Sequence, residues 1–256
     1  MSGSITLENR FGVNKMELIS LKYAIFVIVL LVLYYCFPKK YRWYVLLAGS
    51  MAYYVIICKW YVLFIIFTIC TTYGSTIWID KLLKEQNAIV KSHKEDWDRQ
   101  TRKEYKEKGR KKRVAVMLFA LLCNFGILAF LKYIPYAGEL GLLLPLGISF
   151  YTFQSMGYVM DVYREIVEPE KNFLKVALFV SFFPQIIQGP IAIYDKLAGQ
   201  LYEGHSLRLE NLQKGALLVL WGVMKKLVIA DRAVNIINFV MDKPMDFSGT
   251  YVFFAA

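Results

Sequence analysis

Residues 142–191 constrain the fold most, because they place polar side chains inside long charge-free segments. The first part, residues 142–160, has no charged residue and is about long enough to cross a bilayer as a helix. Five residues in it and just beyond it recur at intervals of four, three, four and three: Gly147, Tyr151, Gln154, Tyr158 and Asp161. This spacing aligns them along one helix face. Because an unpaired polar group in lipid is costly, that face should meet protein or trapped water.

The next apolar segment, residues 176–191, contains residues that interrupt a helix. Pro184 has no N–H to bond the carbonyl of Val180, and Gly189-Pro190 should then end the helix. Because this segment is short as well as interrupted, it is predicted to be broken or re-entrant.

A second polar stripe accompanies this break. Ser181, Gln185 and Gln188 follow one another at intervals of four and three residues. A broken, polar-striped helix at membrane depth usually lines a cavity. Hydrogen bonding between packed helices is the alternative. For the amide of Asn124, in an earlier apolar segment, we expect such a bond to a neighbouring helix, with a direct substrate role as the alternative. The candidates for binding substrate or lining a cavity are Tyr151, Gln154, Tyr158, Gln185, Gln188, Pro190 and Asn124.

Composition indicates a multi-spanning membrane protein, since 57% of the residues are apolar and they form long charge-free runs. We predict an all-α, polytopic transmembrane bundle of about six to eight membrane segments within a single membrane domain, residues 1–256. Residues 194–214 are predicted to be a polar loop or an amphipathic surface segment. The apolar segments are residues 18–37, 43–58, 60–79, 114–131, 142–160, 176–191 and a seventh that begins at Gly215 and is interrupted by Lys225-Lys226.

The longest charged stretch is residues 80–113, with 13 Lys or Arg against 7 Asp or Glu. The net charge of +11 could suggest a nucleic-acid partner. However, the basic residues lie in short blocks beside apolar segments, as the positive-inside rule expects. We therefore predict a cytoplasmic loop, with the lipid bilayer rather than nucleic acid as the partner. Leu83, Val90 and Trp97 recur every seven residues, which indicates a surface-lying or partly helical hairpin.

The sequence offers no evident metal site and no evident catalytic base. The four cysteines lie in or beside apolar segments and form no CxxC pair, so a metal site or a disulfide framework is not expected. Histidine suits general-base catalysis because its pKa lies near neutrality. However, His93 lies in the charged stretch and His205 in a polar turn, so both are predicted to be solvated loop residues.

Two adjoining motifs carry a family resemblance. PLGISFYTFQSMGYVMDVYR, residues 145–164, is followed by FVSFFPQIIQGPI, residues 179–191. Together they closely resemble the membrane-bound O-acyltransferase (MBOAT) family, in the bacterial branch that includes alginate O-acetylases and the D-alanyl transferases of teichoic acids. Residues 124–133 and 221–232 resemble the family more weakly, and the resemblance extends from about residue 41 to the end of the chain.

The resemblance implies an O-acyltransferase in the bacterial plasma membrane. Its expected acyl donor is a cytoplasmic thioester, either acyl-CoA or a carrier-protein thioester, and no bound cofactor is expected. The expected acceptor is an exported polysaccharide or cell-wall polymer, often reached with a secreted or membrane-anchored acyltransferase partner. The expected acyl group is acetyl.

The family's essential histidine belongs to a Trp- and Arg-rich segment well after the region that matches residues 221–232. No such Trp-His pair occurs in this chain. We therefore expect the chain to be the N-terminal part of the enzyme, with the catalytic histidine beyond residue 256, and to be inactive alone. The alternatives are a transporter- or flippase-like module, although no second copy of the pattern is evident, and a non-catalytic membrane scaffold.

Overall fold

A computed structural model describes residues 21–93, 96–133, 147–189, 191–242 and 246–255. Within these ranges all regular secondary structure is helical, with short 3-10 turns at Lys39–Tyr41 and Lys59–Tyr61 and a π-helix at Lys225–Ala230. The all-helical prediction is therefore confirmed for the described residues. The α-helices are α1 (Leu21–Cys36), α2 (Arg42–Cys58), α3 (Val62–Ser92), α4 (Arg99–Tyr133), α5 (Ile148–Tyr163), α6 (Phe173–Ser181), α7 (Phe183–Gln188), α8 (Tyr194–Tyr202), α9 (Leu209–Met224), α10 (Asp231–Met241) and α11 (Gly249–Ala255).

Two helical stretches are apolar and long enough to cross a membrane. They are Lys39–Ser92, which contains α2 and α3, and Arg99–Tyr133, which is α4. Leu21–Cys36 and Phe173–Ile186 are apolar but shorter. The predicted count of six to eight membrane segments is therefore not confirmed.

The charged stretch of residues 80–113 is a helical hairpin rather than an open loop. α3 continues to Ser92 and α4 begins at Arg99, so only the short connection between them is non-helical. Oppositely charged side chains one helical turn apart, such as Lys81 with Glu85 and Lys111 with Glu107, favour helix on both sides of the turn. The prediction of a partly helical hairpin is confirmed.

The predicted helix break is present, but it lies at a different residue. α6 ends at Ser181 and α7 begins at Phe183, because Phe182 has a non-helical backbone (ψ 105°). Pro184 lies in the first turn of α7, where a missing N–H removes no helical hydrogen bond. The break therefore precedes the proline, and α7 ends before Gly189, whose backbone is extended.

The segment predicted as a polar loop from residue 194 contains a helix. Tyr194, Ala198 and Leu201 recur at helical spacing and form the buried face of α8. The loop prediction was wrong for α8, and the amphipathic alternative describes this helix. The seventh apolar helix, α9, also begins earlier than predicted, at Leu209 rather than Gly215.

The helices form two compact units that divide after Gly204. In the first unit, α3, α4 and α5 pack together, and α6 packs against α2, α3, α5 and α8. Every residue of α6 from Val176 to Ser181 is buried. Phe183, at the start of α7, has its ring centroid 5.3–6.2 Å from those of Tyr23, Phe26 and Tyr53, which joins α7 to α1 and α2.

The second unit contains α9, the π-helix, α10 and α11, each packed against its neighbour in the chain. Lys225 and Lys226 open the π-helix. The ammonium of Lys225 lies 5.3 Å from the ring centroid of Trp221, and that of Lys226 lies 3.9 Å from the carboxylate of Asp231. Both lysines therefore have partners within this unit.

Candidate functional site

The break between α6 and α7 redirects backbone hydrogen bonds to side chains. In an unbroken helix the N–H of Phe183 would donate to the carbonyl of Phe179. Here that N–H donates instead to the hydroxyl of Ser50 on α2 at 3.4 Å. The carbonyl of Phe179 accepts from Nε2 of Gln154 on α5 at 2.9 Å. Two neighbouring helices therefore supply the partners that the break removes.

In this arrangement the buried amide of Gln154 holds two packed helices together. Its Nε2 ties α5 to the end of α6 within the protein interior. A buried carbonyl without a partner costs about 1–3 kcal/mol, so Gln154 stabilises the broken geometry directly. Whether its remaining surface also borders a polar passage stays a prediction.

Tyr158 is also buried, and both its hydroxyl and its ring contact other residues. Its hydroxyl accepts a hydrogen bond from the backbone N–H of Glu170 at 2.8 Å. Its ring stacks on that of Tyr194 with 4.1 Å between the centroids, and Phe179 packs edge-on against both rings. Tyr158 therefore joins α5, α6 and α8.

The loop before α6 is held by polar contacts that the sequence interpretation missed. The carboxylate of Glu170 accepts from the N–H of Asn172 at 3.0 Å and lies 3.7 Å from the ammonium of Lys175. Asn172 in turn caps α6 by accepting from the N–H of Leu174. On the other side, the hydroxyl of Tyr202 donates to the carbonyl of Lys175 at 2.8 Å.

Burial raises the pKa of the Tyr194 and Tyr202 hydroxyls above the ordinary tyrosine value. Both residues lie in α8, outside the predicted membrane segments. Both hydroxyls therefore remain protonated near neutral pH, and that of Tyr202 is the donor to the carbonyl of Lys175.

Several buried polar atoms near the break have no hydrogen-bond partner among the described residues. Those on the helices that pack around the break are Oη of Tyr53, Oγ of Ser155 and Oε1 of Gln185, and the buried hydroxyls of Tyr54 and Tyr151 lie close to each other. The rings of Tyr54 and Tyr151 meet edge-on with centroids 6.3 Å apart. Since each unpaired atom costs about 1–3 kcal/mol, these positions favour a polar ligand group or water.

Asn124 bridges α4 and α3. Its Nδ2 donates at 2.9 Å both to Oγ1 of Thr71 and to the carbonyl of Ala120, while its buried Oδ1 has no partner in the part of the chain that the structure describes. Of the other candidates, Pro190 and the side chain of Gln188 lie outside the described residues. The structure thus brings Tyr151, Gln154 and Gln185 onto helices that pack together, and it places Asn124 at a different helix pair.

Both histidines are exposed. The ring of His93 stacks on Trp97 with 4.8 Å between centroids, at the turn of the α3–α4 hairpin. His205 follows α8 in the second unit. Among the described residues no group of three or more His, Cys, Asp or Glu side chains is placed to hold a metal ion.

Comparison with known proteins gives a consistent result. Over 170 residues, 52% of the chain, the sequence is 31% identical to a protein of Helicobacter pylori named peptidoglycan O-acetyltransferase. It is 40% identical over 89 residues to the probable alginate O-acetylase AlgI of Pseudomonas syringae pv. tomato, and 33% identical over 129 residues to that of Azotobacter vinelandii. The chain is a homologue of bacterial O-acetyltransferases. The resemblance to the membrane-bound O-acyltransferases is thereby confirmed.

The matched region is a minor part of each relative. It covers 32% of the Helicobacter pylori protein, 17% of the Pseudomonas syringae protein and 24% of the Azotobacter vinelandii protein. These matches cover 52%, 35% and 50% of this chain, respectively. No protein-family model matches the chain, and no solved structure matches it.

Proposed function

We propose that the chain is part of a multi-pass O-acyltransferase of the bacterial plasma membrane. It would transfer an acetyl group from a cytoplasmic thioester, acyl-CoA or a carrier-protein thioester, to an exported polysaccharide or cell-wall polymer. The observation that carries this proposal is the similarity to proteins named for O-acetylation of peptidoglycan and of alginate. The long apolar helices support the membrane location.

Acyl transfer from a thioester makes specific chemical demands. The acceptor hydroxyl oxygen bonds to the acyl carbon, its proton passes to a base, and the thiolate leaves. Hydrogen-bond donors must stabilise the oxyanion that forms on the acyl carbonyl. We propose that the buried hydroxyl of Tyr151, beside that of Tyr54, and the amide oxygen of Gln185 face the reacting groups. Gln154, Tyr158 and Asn124 would hold the surrounding helices.

The base would be the histidine that the family resemblance implies. The exposed positions of His93 and His205 do not favour either residue for this role. In this proposal residues 1–256 alone do not catalyse transfer. The α3–α4 hairpin would lie in the cytoplasm, and a secreted or membrane-anchored partner would act on the other side.

Membrane vesicles that contain the complete gene product test the proposal. Labelled acetyl-CoA is supplied, or labelled carrier-protein thioester in a parallel assay, and the label is followed into polysaccharide. We expect Tyr151→Phe to lower transfer about 10-fold or more at unchanged protein level. Tyr133→Phe, the same chemical change at an exposed position, should have no effect.

Lack of transfer from either donor by the unaltered protein would contradict the proposal and favour the transport-module alternative. Equal activity of Tyr151→Phe and the unaltered protein would contradict the role given to the Tyr151 hydroxyl.

A further inference from the structure

The α3–α4 hairpin encloses a cleft of about 540 Å³, a volume within the usual range for small-molecule sites. We call it the basic cleft and define it by its lining residues, which are Leu83, Gln86 and Asn87 of α3, Lys103, Lys106, Glu107, Arg110 and Arg113 of α4, and Glu165 after α5. It lies outside the helix break described above, and none of its residues belongs to the candidate site.

Of the four cations of the basic cleft, Arg113 is buried, whereas Lys103, Lys106 and Arg110 are exposed. Lys103, Lys106, Arg110 and Arg113 follow at intervals of three, four and three residues, which places them on one face of α4. The cleft therefore presents a row of cations along one face of α4, with the buried Arg113 at one end.

Half of this positive charge is not balanced by the carboxylates that line the cleft. The carboxylate of Glu165, which also lines the cleft, lies 2.8 Å from Nη1 of Arg113. The second carboxylate that lines the cleft is that of Glu107, and its Oε1 lies 3.6 Å from Nζ of Lys111. Four cations against two carboxylates leave a net charge of +2, and Lys103, Lys106 and Arg110 form no ion pair among the described residues.

Two deeply buried residues at the cleft retain unused hydrogen-bonding capacity. Arg113 is 8% exposed and Gln86 is 5% exposed, and among the described residues neither Nε of Arg113 nor Oε1 of Gln86 has a hydrogen-bond partner. Nε2 of Gln86 donates to the carbonyl of Lys106 at 2.9 Å, which fixes the amide against α4. Gly109 permits this close approach of the helices, because a β-carbon at that position would overlap the Gln86 amide.

The hairpin that carries these groups is closed at its tip by aromatic contacts. The ring of Trp97 stacks on His93 and packs against Tyr105 with centroids 5.1 Å apart. The other end of the cleft, at Arg113, directly adjoins the apolar part of α4. The cations therefore extend about 15 Å from the edge of the apolar segment toward the tip.

From this geometry we infer that the basic cleft binds phosphate esters. Phosphate oxygens accept charge-assisted hydrogen bonds from guanidinium and ammonium groups, and spaced cations match a ligand with more than one anionic oxygen group. The cleft's position at the edge of the apolar segment admits either the headgroup of an anionic phospholipid or a soluble organic phosphate. A soluble ligand would connect the cleft to the acyl donor and so rests on the proposed function, whereas a lipid ligand would not.

Binding to the purified chain tests this inference without any turnover. Phosphatidylglycerol and phosphatidylcholine are titrated in detergent and followed by native mass spectrometry, and coenzyme A is titrated by calorimetry. The cleft variant combines Lys106→Gln with Arg110→Gln. The control combines Lys108→Gln with Lys112→Gln, which removes the same charge from exposed positions of the same helix outside the cleft.

We expect the cleft variant to raise the dissociation constant roughly 10-fold or more, as for loss of charged hydrogen bonds, and the control to change it less than about 2-fold. A charge-conserving exchange, Lys106→Arg with Arg110→Lys, should keep binding. Selective loss of phosphatidylglycerol identifies a lipid site, and selective loss of coenzyme A identifies a soluble phosphate site. Absence of binding by both probes, or equal losses in the cleft and control variants, would overturn the inference.

Discussion

Gly147→Ala should destabilise the protein strongly, because Gly147 occupies a position that no other residue fits. It precedes α5 with φ of +71°, in the left-handed region that favours glycine. A β-carbon there would overlap both Cγ2 and the backbone carbonyl oxygen of Ile186 in α7. The Ile186 side chain could rotate away, but its carbonyl oxygen moves only if α7 itself moves.

Two terms set the expected magnitude. The left-handed backbone costs a residue with a β-carbon about 1–2 kcal/mol. Overpacking against a buried neighbour typically costs about 1–3 kcal/mol more. The total of about 2–5 kcal/mol corresponds to a fall in melting temperature of roughly 4–20 °C for a protein near this size.

Gly157→Ala is the matched control, since Gly157 lies in the interior of the same helix. A β-carbon on Gly157 meets nothing within 4 Å. Alanine in a helix interior is favoured over glycine by about 0.5–1 kcal/mol, so this variant should melt slightly above the unaltered chain. Tryptophan fluorescence of each purified protein in detergent gives the melting temperatures. If Gly147→Ala melted at or above the unaltered chain, the left-handed turn and its contact with Ile186 would both be refuted.

Gln154→Leu should lower the free energy of unfolding by about 1–3 kcal/mol, because it leaves the carbonyl of Phe179 unpaired. A melting temperature equal to that of the unaltered chain would contradict this. Glu165→Gln should lower the free energy of unfolding by less than about 1 kcal/mol, since the Glu165 side chain is 54% exposed beside Arg113. A larger decrease in the same melting assay would contradict this small contribution of the ion pair. Lys108→Cys, in a chain without its native cysteines, should react with an impermeant thiol reagent only after the cells are opened; labelling of intact cells would place the hairpin outside.

The sequence pattern was sufficient where local rules decide the structure. Leu83, Val90 and Trp97 at heptad spacing indicated the helical hairpin. Pro184 and the Gly189-Pro190 pair indicated a broken helix and its end, although the break itself lies at Phe182, before the proline. These features depend on residues that act within one or two helical turns, so they can be predicted without knowledge of the packing.

The contacts around the break could not be predicted, because they join residues distant in the sequence. Nothing in the spacing identified Phe179 as the carbonyl that Gln154 bonds, or Ser50 as the acceptor for the N–H of Phe183. The stacking of Tyr194 on Tyr158 was missed because the many polar residues of this region favoured the prediction of a loop. Its buried face, at intervals of four and three residues, was the available signal.

The most direct test of the account is the O-acetyl content of the exported polysaccharide and the cell wall after disruption of the gene. Alkaline hydrolysis releases ester-bound acetate, which is then quantified against total sugar. The account predicts a clear loss of acetate that the intact gene restores and that a gene carrying Gly147→Ala restores poorly. Unchanged acetate in both fractions after disruption would contradict the proposed O-acetyl transfer.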